Sequence, residues 1–235
     1  MDEYSYINIF DTKGIEYLVI IAFLVLLIPF WRALNKPIKA RAIAMSTLQA
    51  LTANILKIKQ GIFYNPNHTW ARPEYGGYAN VGLDDLLLHI VGPVNIKTLK
   101  MSGDRVVKGE QFAQIESAER VLKIKSPLTG KIERVNTLLD KETLSNDPYG
   151  KGWMYKIKTE KWAEETNSSI QDNEVAIWFK NELLRLKDFL ATSLNKNALE
   201  PAAVILQEGG ELADNPLSEM SAEIWYDFQE NFLNN

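Results

Sequence analysis

Between Tyr17 and Trp31 the chain reads YLVIIAFLVLLIPFW, without a single charge. A bilayer core takes about 20 predominantly apolar residues, and Gly14, Ile15, Ala33 and Leu34 extend the run toward that length. One charge at the centre of an inserted helix costs about 2.5–3.5 kcal/mol, so a run free of charge is informative. Pro29 falls near its end, where a lost backbone hydrogen bond matters least, and Tyr17 and Trp31 stand where interfacial aromatic anchors would. The run therefore predicts a single transmembrane helix within an N-terminal segment, residues 1–36. A cleaved signal peptide would carry a basic leader, whereas Asp2, Glu3, Asp11 and Glu16 precede this run. The small-residue triplets Ala40-Arg41-Ala42 and Ala42-Ile43-Ala44 lie several residues beyond it. Arg32, Lys36, Lys39, Arg41, Lys57 and Lys59 follow with no acid before residue 68, so the positive-inside rule places the N-terminus outside. The expected location is the inner (cytoplasmic) membrane, single-pass, with the main domain in the cytoplasm.

The remaining residues divide by pattern. Residues 37–67 read as an amphipathic linker helix: Ile43, Leu48, Leu51, Ile55, Leu56 and Ile58 recur at mostly helical spacing, with Pro37 suited to the first turn and Gly61 to the end. Its bases could rest on anionic headgroups or it could simply pack on something. Residues 68–160 change character, with short β-like runs at Val106–Val107, Phe112–Ile115, Val121–Ile124, Ile132–Val135 and Trp153–Ile157. Turn clusters separate them, such as Lys108-Gly109-Glu110 and Ser126-Pro127-Leu128-Thr129-Gly130. One short helix interrupts, with Asp84 as N-cap, Leu86–Ile90 as body and Gly92-Pro93 as stop. Residues 161–235 form an acidic helical extension, five bases against fourteen acids. It holds a long amphipathic helix through Val175, Trp178, Phe179, Leu183, Leu186 and Leu190, and a short one through Ile224, Trp225, Phe228 and Phe232. The class is α+β: a transmembrane helix, a small β-sandwich or barrel, and a helical extension.

Few chemistries remain open. The chain has no cysteine and only two histidines, His68 and His89, which excludes disulfides, iron–sulfur clusters and any Cys/His metal site. Gly76-Gly77 opens no phosphate-binding loop, and no nucleophile–base constellation can be assembled. His89 lies four residues after Asp85 and reads as a helix-surface pair, while Asp84-Asp85 reads as capping and dipole compensation. No catalytic and no metal-binding residue is expected, and the basic block after an apolar run does not indicate nucleic acid. The chain reads as a non-enzyme.

Five segments in order carry a resemblance. They are His68-Thr69-Trp70-Ala71-Arg72, Ala79-Asn80-Val81-Gly82-Leu83, Gln114-Ile115-Glu116-Ser117, Ser126-Pro127-Leu128-Thr129-Gly130-Lys131-Ile132, and the block Asn146–Ile157, which contains Asp147-Pro148-Tyr149-Gly150 and Gly152-Trp153. Together they resemble the glycine cleavage system H protein family over residues 68–158. The resemblance implies a barrel-sandwich hybrid fold like that of lipoyl and biotinyl domains. In that family Glu-Ser is followed by a small or apolar residue and then the lysine that carries lipoate. Here the run is Glu116-Ser117-Ala118-Glu119, so the acceptor position is held by Glu119. A carboxylate cannot form the amide to lipoate, and lipoate is expected to be absent. Lys123 and Lys125 lie farther along the outgoing strand as the alternative acceptors.

These readings converge on a membrane-anchored, non-lipoylated H-protein-like accessory or docking subunit of a membrane complex, with energy metabolism or electron transfer as the expected setting. The alternative is a lipoyl-type carrier of glycine cleavage that uses a displaced lysine. The expected partners are the membrane and other subunits of that complex. A helix as short as the last one is unstable alone in water, so Trp225, Phe228 and Phe232 become candidates for docking, on a partner or back on the domain.

Overall fold

A computed structural model describes residues 9–34, 51–117, 119–196, 212–218 and 220–234. The chain forms two compact units, residues 1–47 and 48–235.

In the first unit, helix α1 spans Ile9–Leu34 with Pro29 inside it. Side chains are described for residues 17–31, and every one of them is exposed. Among the described residues no helix is long and apolar enough to cross a membrane. The described side chains of α1 form a stretch shorter than the 17–25 residues, roughly, that a bilayer core takes.

The second unit is a β-sandwich with helices packed around it. Strands β1 (Phe63–Tyr64), β2 (Thr69–Glu74) and β3 (Tyr78–Leu83) lead into helix α2 (Asp85–Val91). Strands β4 (Asn95–Thr98), β5 (Arg105–Val106), β6 (Gln111–Ser117), β7 (Arg120–Lys125) and β8 (Gly130–Val135) follow, then helix α3 (Lys141–Asn146) and strand β9 (Trp153–Thr159). One sheet has the order β1-β2-β3-β9-β8-β5 and the other β4-β6-β7, with every pairing antiparallel. Alternation explains the sandwich. In β7, Leu122 and Ile124 are buried while Val121 and Lys123 face out; in β8, Gly130 and Ile132 are buried between exposed Lys131 and Glu133.

The quoted motifs have physical reasons. Trp70 is fully buried and donates from Nε1 to the Leu83 carbonyl at 2.8 Å. Its ring lies so close to Gly82 that a Cβ there would come within 2.6 Å of Cζ2, so a side chain at this position and Trp70 exclude each other. Tyr149 stacks edgewise on Tyr64 at 5.6 Å, and its hydroxyl accepts from the Asp85 amide at 3.0 Å. The block around Tyr149 thereby closes over the start of α2.

The strands expected from residues 106–157 are present, and α2 is capped as expected, Asp84 accepting from the Leu87 amide at 2.8 Å. Two expectations need correction. The linker helix is not continued over the described residues 51–62, which are turns and extended chain. Leu51 and Leu56 instead enter the core, the Leu51 amide donates to Leu212, and Lys57 donates its amide to Asp85 at 2.7 Å; tertiary capture overrides a short helical pattern. The first part of that expected helix, residues 37–50, lies outside the described residues.

The second correction concerns the extension. Helices α4 (Trp162–Thr166), α5 (Glu174–Lys196) and α6 (Ala222–Phe228), with a π-helical turn Gln229–Leu233, share one hydrophobic core with the sandwich. Trp225, Phe228 and Phe232 are each at most 1% exposed and share the core of the sandwich, so of the two expected docking modes they take the one back on the domain and leave no free face. The boundary expected at residue 160 thus separates no independent cores.

Candidate functional site

Glu119, expected from the resemblance to hold the acceptor position, sits at the tip of the β6–β7 hairpin. Ser117 pairs with Arg120 at its end, and Glu119 occupies the turn, exposed. From Ala113 to Ile124 the hairpin keeps one register, Glu116 pairing with Val121 and Ile115 with Leu122, and Ile115 and Leu122 are buried in the sandwich; the register shifts only at its base, between Gln111 and Ala113. Lipoate does not fit this turn, because the side chain presented is a second carboxylate and offers no amine. Lys123 is exposed on β7 and Lys125 is half-buried; neither reaches the turn itself.

The hairpin is held by the extension. Arg120 donates from Nη1 to the carbonyls of Ser218 at 2.6 Å, Met220 at 2.8 Å and Leu217 at 3.4 Å, and its guanidinium lies 4.9 Å from the centre of the Trp225 ring. Farther along β7, the Lys123 amide donates to Gln229 Oε1 at 2.6 Å. That contact caps an edge-strand donor which would otherwise face solvent. Trp225 Nε1 donates back to the Leu217 carbonyl at 2.8 Å, completing the fixture.

Both histidines also fasten the extension, and this part was invisible in the sequence. His68 is fully buried at positive φ, with Nδ1 2.9 Å from Asp84 and Nε2 3.5 Å from Glu182 on α5. The second contact is an ion pair beyond good hydrogen-bond reach. The imidazole is layered between Trp178 at 5.3 Å and Phe232 at 5.6 Å. Burial works to lower its pKa, but the Asp84 charge and hydrogen bond, with Glu182 beyond, outweigh burial and push it up to about 9. Burial works to raise the pKa of Glu182, and His68 and Arg185 together hold it below the ordinary value. Arg185 also donates to the Phe232 carbonyl at 3.0 Å and covers that ring at 3.9 Å.

His89 repeats the arrangement. The expected contact with Asp85 is present at 3.5 Å, but the nearer partner is Asp214 of the extension at 2.7 Å. The Asp214 hydrogen bond, followed by that of Asp85, raises the His89 pKa to about 9 against the pull of burial. The adjacent aspartates 84 and 85 thus serve one histidine each, and each histidine reaches one carboxylate of the extension. A small recess of about 160 Å³ lies beside His89, lined also by Leu88, Pro93 and Asn215.

Residues 62–182, more than half of the chain, match the family profile described as Glycine cleavage H-protein. The chain belongs to the glycine cleavage H-protein family. The glycine cleavage system H protein of Rubrobacter xylanophilus is 38% identical over 104 residues, covering 43% of this chain and 82% of that protein. The probable glycine cleavage system H protein of Pyrococcus abyssi is 31% identical over 127 residues, covering 53% and 94%. Among solved structures, the glycine cleavage system H protein of Mycobacterium marinum covers 52% of this chain and 98% of its own at 26% identity, with a TM-score of 0.45. The H-protein region takes in the hairpin and ends inside α5 at Glu182, the residue that faces His68. Arg185 and the partners of Arg120 and His89 in residues 212–220 lie beyond it.

Proposed function

We propose that this chain is a membrane-anchored, non-lipoylated H-protein-like subunit that docks within a membrane complex and performs no catalysis of its own. The observation that carries the reading is Glu119 in the exposed turn of a hairpin that keeps one register from Ala113 to Ile124. A sandwich that keeps its hairpin but lacks the amine at the tip remains a platform for contact, and fold alone does not fix function. Support for the anchor comes from α1, whose described side chains are apolar and uniformly exposed, with no charge between Glu16 and Arg32. Fifteen exposed apolar or aromatic residues in succession would be a severe aggregation liability in water and are ordinary in lipid. The proposed setting is the inner membrane, N-terminus outside and sandwich inside.

The relatives support a second reading. Each of those named is a glycine cleavage system H protein, so this chain could carry a lipoyl group on Lys123, which is exposed on β7, or on Lys125. Intact-mass measurement on protein purified from its native membranes separates the two. The unmodified mass is expected; a lipoyl adduct on any lysine would overturn the first reading in favour of the second. Co-purification in mild detergent tests the docking role, which fails if the chain is recovered alone.

A further inference from the structure

We infer that the segment 212–234 is a built-in competitor for the face beside the acceptor turn, closing the β6–β7 hairpin to modifying enzymes independently of the residue at position 119. This rests on the reading that the hairpin around Glu119 is the H-protein acceptor hairpin.

The segment is a strap fixed at both ends. At one end it is tied to α2: the Asn215 amide donates to the His89 carbonyl at 2.8 Å, the Leu217 amide to Ile90 at 3.0 Å, and Asp214 holds the His89 ring. At the other end it descends into the core through Trp225, Phe228 and Phe232. Between these ends it passes the hairpin, where the Leu217, Ser218 and Met220 carbonyls converge on one guanidinium nitrogen of Arg120. Arg120 directly follows the acceptor position, so its side chain marks the flank that an enzyme engaging residue 119 would have to approach. That flank is occupied by three carbonyls and an indole. Gln229 holds the Lys123 amide farther along the same strand. An enzyme that reads the hairpin from this side finds the Arg120 guanidinium and the Lys123 amide already engaged.

Charge-assisted hydrogen bonds of this kind are worth more than neutral ones, and several act on a single side chain. The strap is therefore held at the hairpin by specific polar contacts as well as by burial. Chemically it behaves as a partner would, supplied in the same chain at high effective concentration. An external partner that bound the same flank would have to displace it.

The test supplies the missing amine and asks whether it can be reached. Full-length Glu119→Lys in mild detergent is offered to a lipoate ligase, which activates the lipoyl carboxyl with ATP, releases pyrophosphate and then AMP, and leaves an amide on the lysine Nζ. The H protein of Rubrobacter xylanophilus serves as reference substrate. The single variant is expected to be modified at less than about a tenth of the reference rate. Adding Arg120→Ala on the hairpin side, or Gln229→Ala on the strap side, is expected to raise that rate by about tenfold, the shift that losing one such hydrogen bond brings. Amide exchange at Lys123 should accelerate in the Gln229→Ala chain, a readout that needs no ligase and a variant that leaves the aromatic core intact. Modification of Glu119→Lys at the reference rate would overturn the inference and leave the proposed function standing. Slow modification that neither added substitution relieves, with exchange unchanged, would overturn it as well. A lipoyl adduct on the unaltered chain would instead overturn the proposed function, while the exchange and rate comparison still decides the strap.

Discussion

Raising the pH should loosen the extension through His68. The imidazolium is held by Asp84 and Glu182, and its pKa rises from 6.5 to about 9 on folding. Because the folded value lies above the unfolded one, the stabilisation is complete below about pH 6.5 and disappears as pH climbs through about 9. The interval corresponds to about 3 kcal/mol at 1.36 kcal/mol per pH unit, a large share of a domain's total stability. Urea denaturation of the full chain in detergent, followed by near-ultraviolet circular dichroism, measures it across that window. His68→Asn, a residue that tolerates positive φ, is the control: it should lose about 3–5 kcal/mol at neutral pH, because Asp84 is left buried without its cation and Glu182 keeps only Arg185. The variant should also fall less steeply with pH than the parent, its residual slope coming from His89 and from lysines common to both. Equal slopes in parent and variant would refute the reasoning, as would a parent whose stability is flat from about pH 6.5 to above 9.

Other outcomes follow from the same contacts. Trp225→Ala should cost about 3–5 kcal/mol of stability in thermal melts, whereas Tyr226→Ala next to it, exposed, should stay within about 0.5 kcal/mol. Gly82→Ala should destabilise by about 1–3 kcal/mol, seen as a shifted melting midpoint, because the new methyl meets the Trp70 ring. Glu165→Ala should cost about 1–3 kcal/mol by the same measure, since the buried Thr129 amide and hydroxyl both lose their acceptor. The full chain should stay in the membrane pellet after alkaline carbonate extraction, and removal of residues 1–34 should move it to the supernatant; retention without them would refute the anchor.

What could be read from the sequence was what is local. Asp84 as a cap, the alternation in β7 and β8 and the turn signals at glycine and proline depend on neighbours a few residues away, and they are where the pattern put them. The turn that holds Glu119 was legible because two short β-like runs flank it closely. The roles of the histidines were not, because the partners of His68 and His89 lie 114 and 125 residues along the chain, at Glu182 and Asp214. Hydrophobic periodicity identified an apolar stripe at Ile224, Trp225, Phe228 and Phe232 without saying what covers it. The covering surface is assembled only when β7 and α5 come together. Strands β2 and β3 escaped notice because Pro73 stands inside β2 and reads as a strand breaker, although it pairs with Ala79 there; Gly76 and Gly77 form the turn that joins the two.

Homology and folding divide this chain at different places. The matching region stops at Glu182, in the third turn of a helix that runs on to Lys196. A protein trimmed to that region would keep every residue that identifies it, yet would bare the outer face of β7 and the aromatic surface beneath Phe228 and Phe232. It would also retain Asp85 and His89 without Asp214. The shortest piece recognisable as a family member is therefore not a piece that should survive alone in solution, because residues beyond the matching region are part of the core.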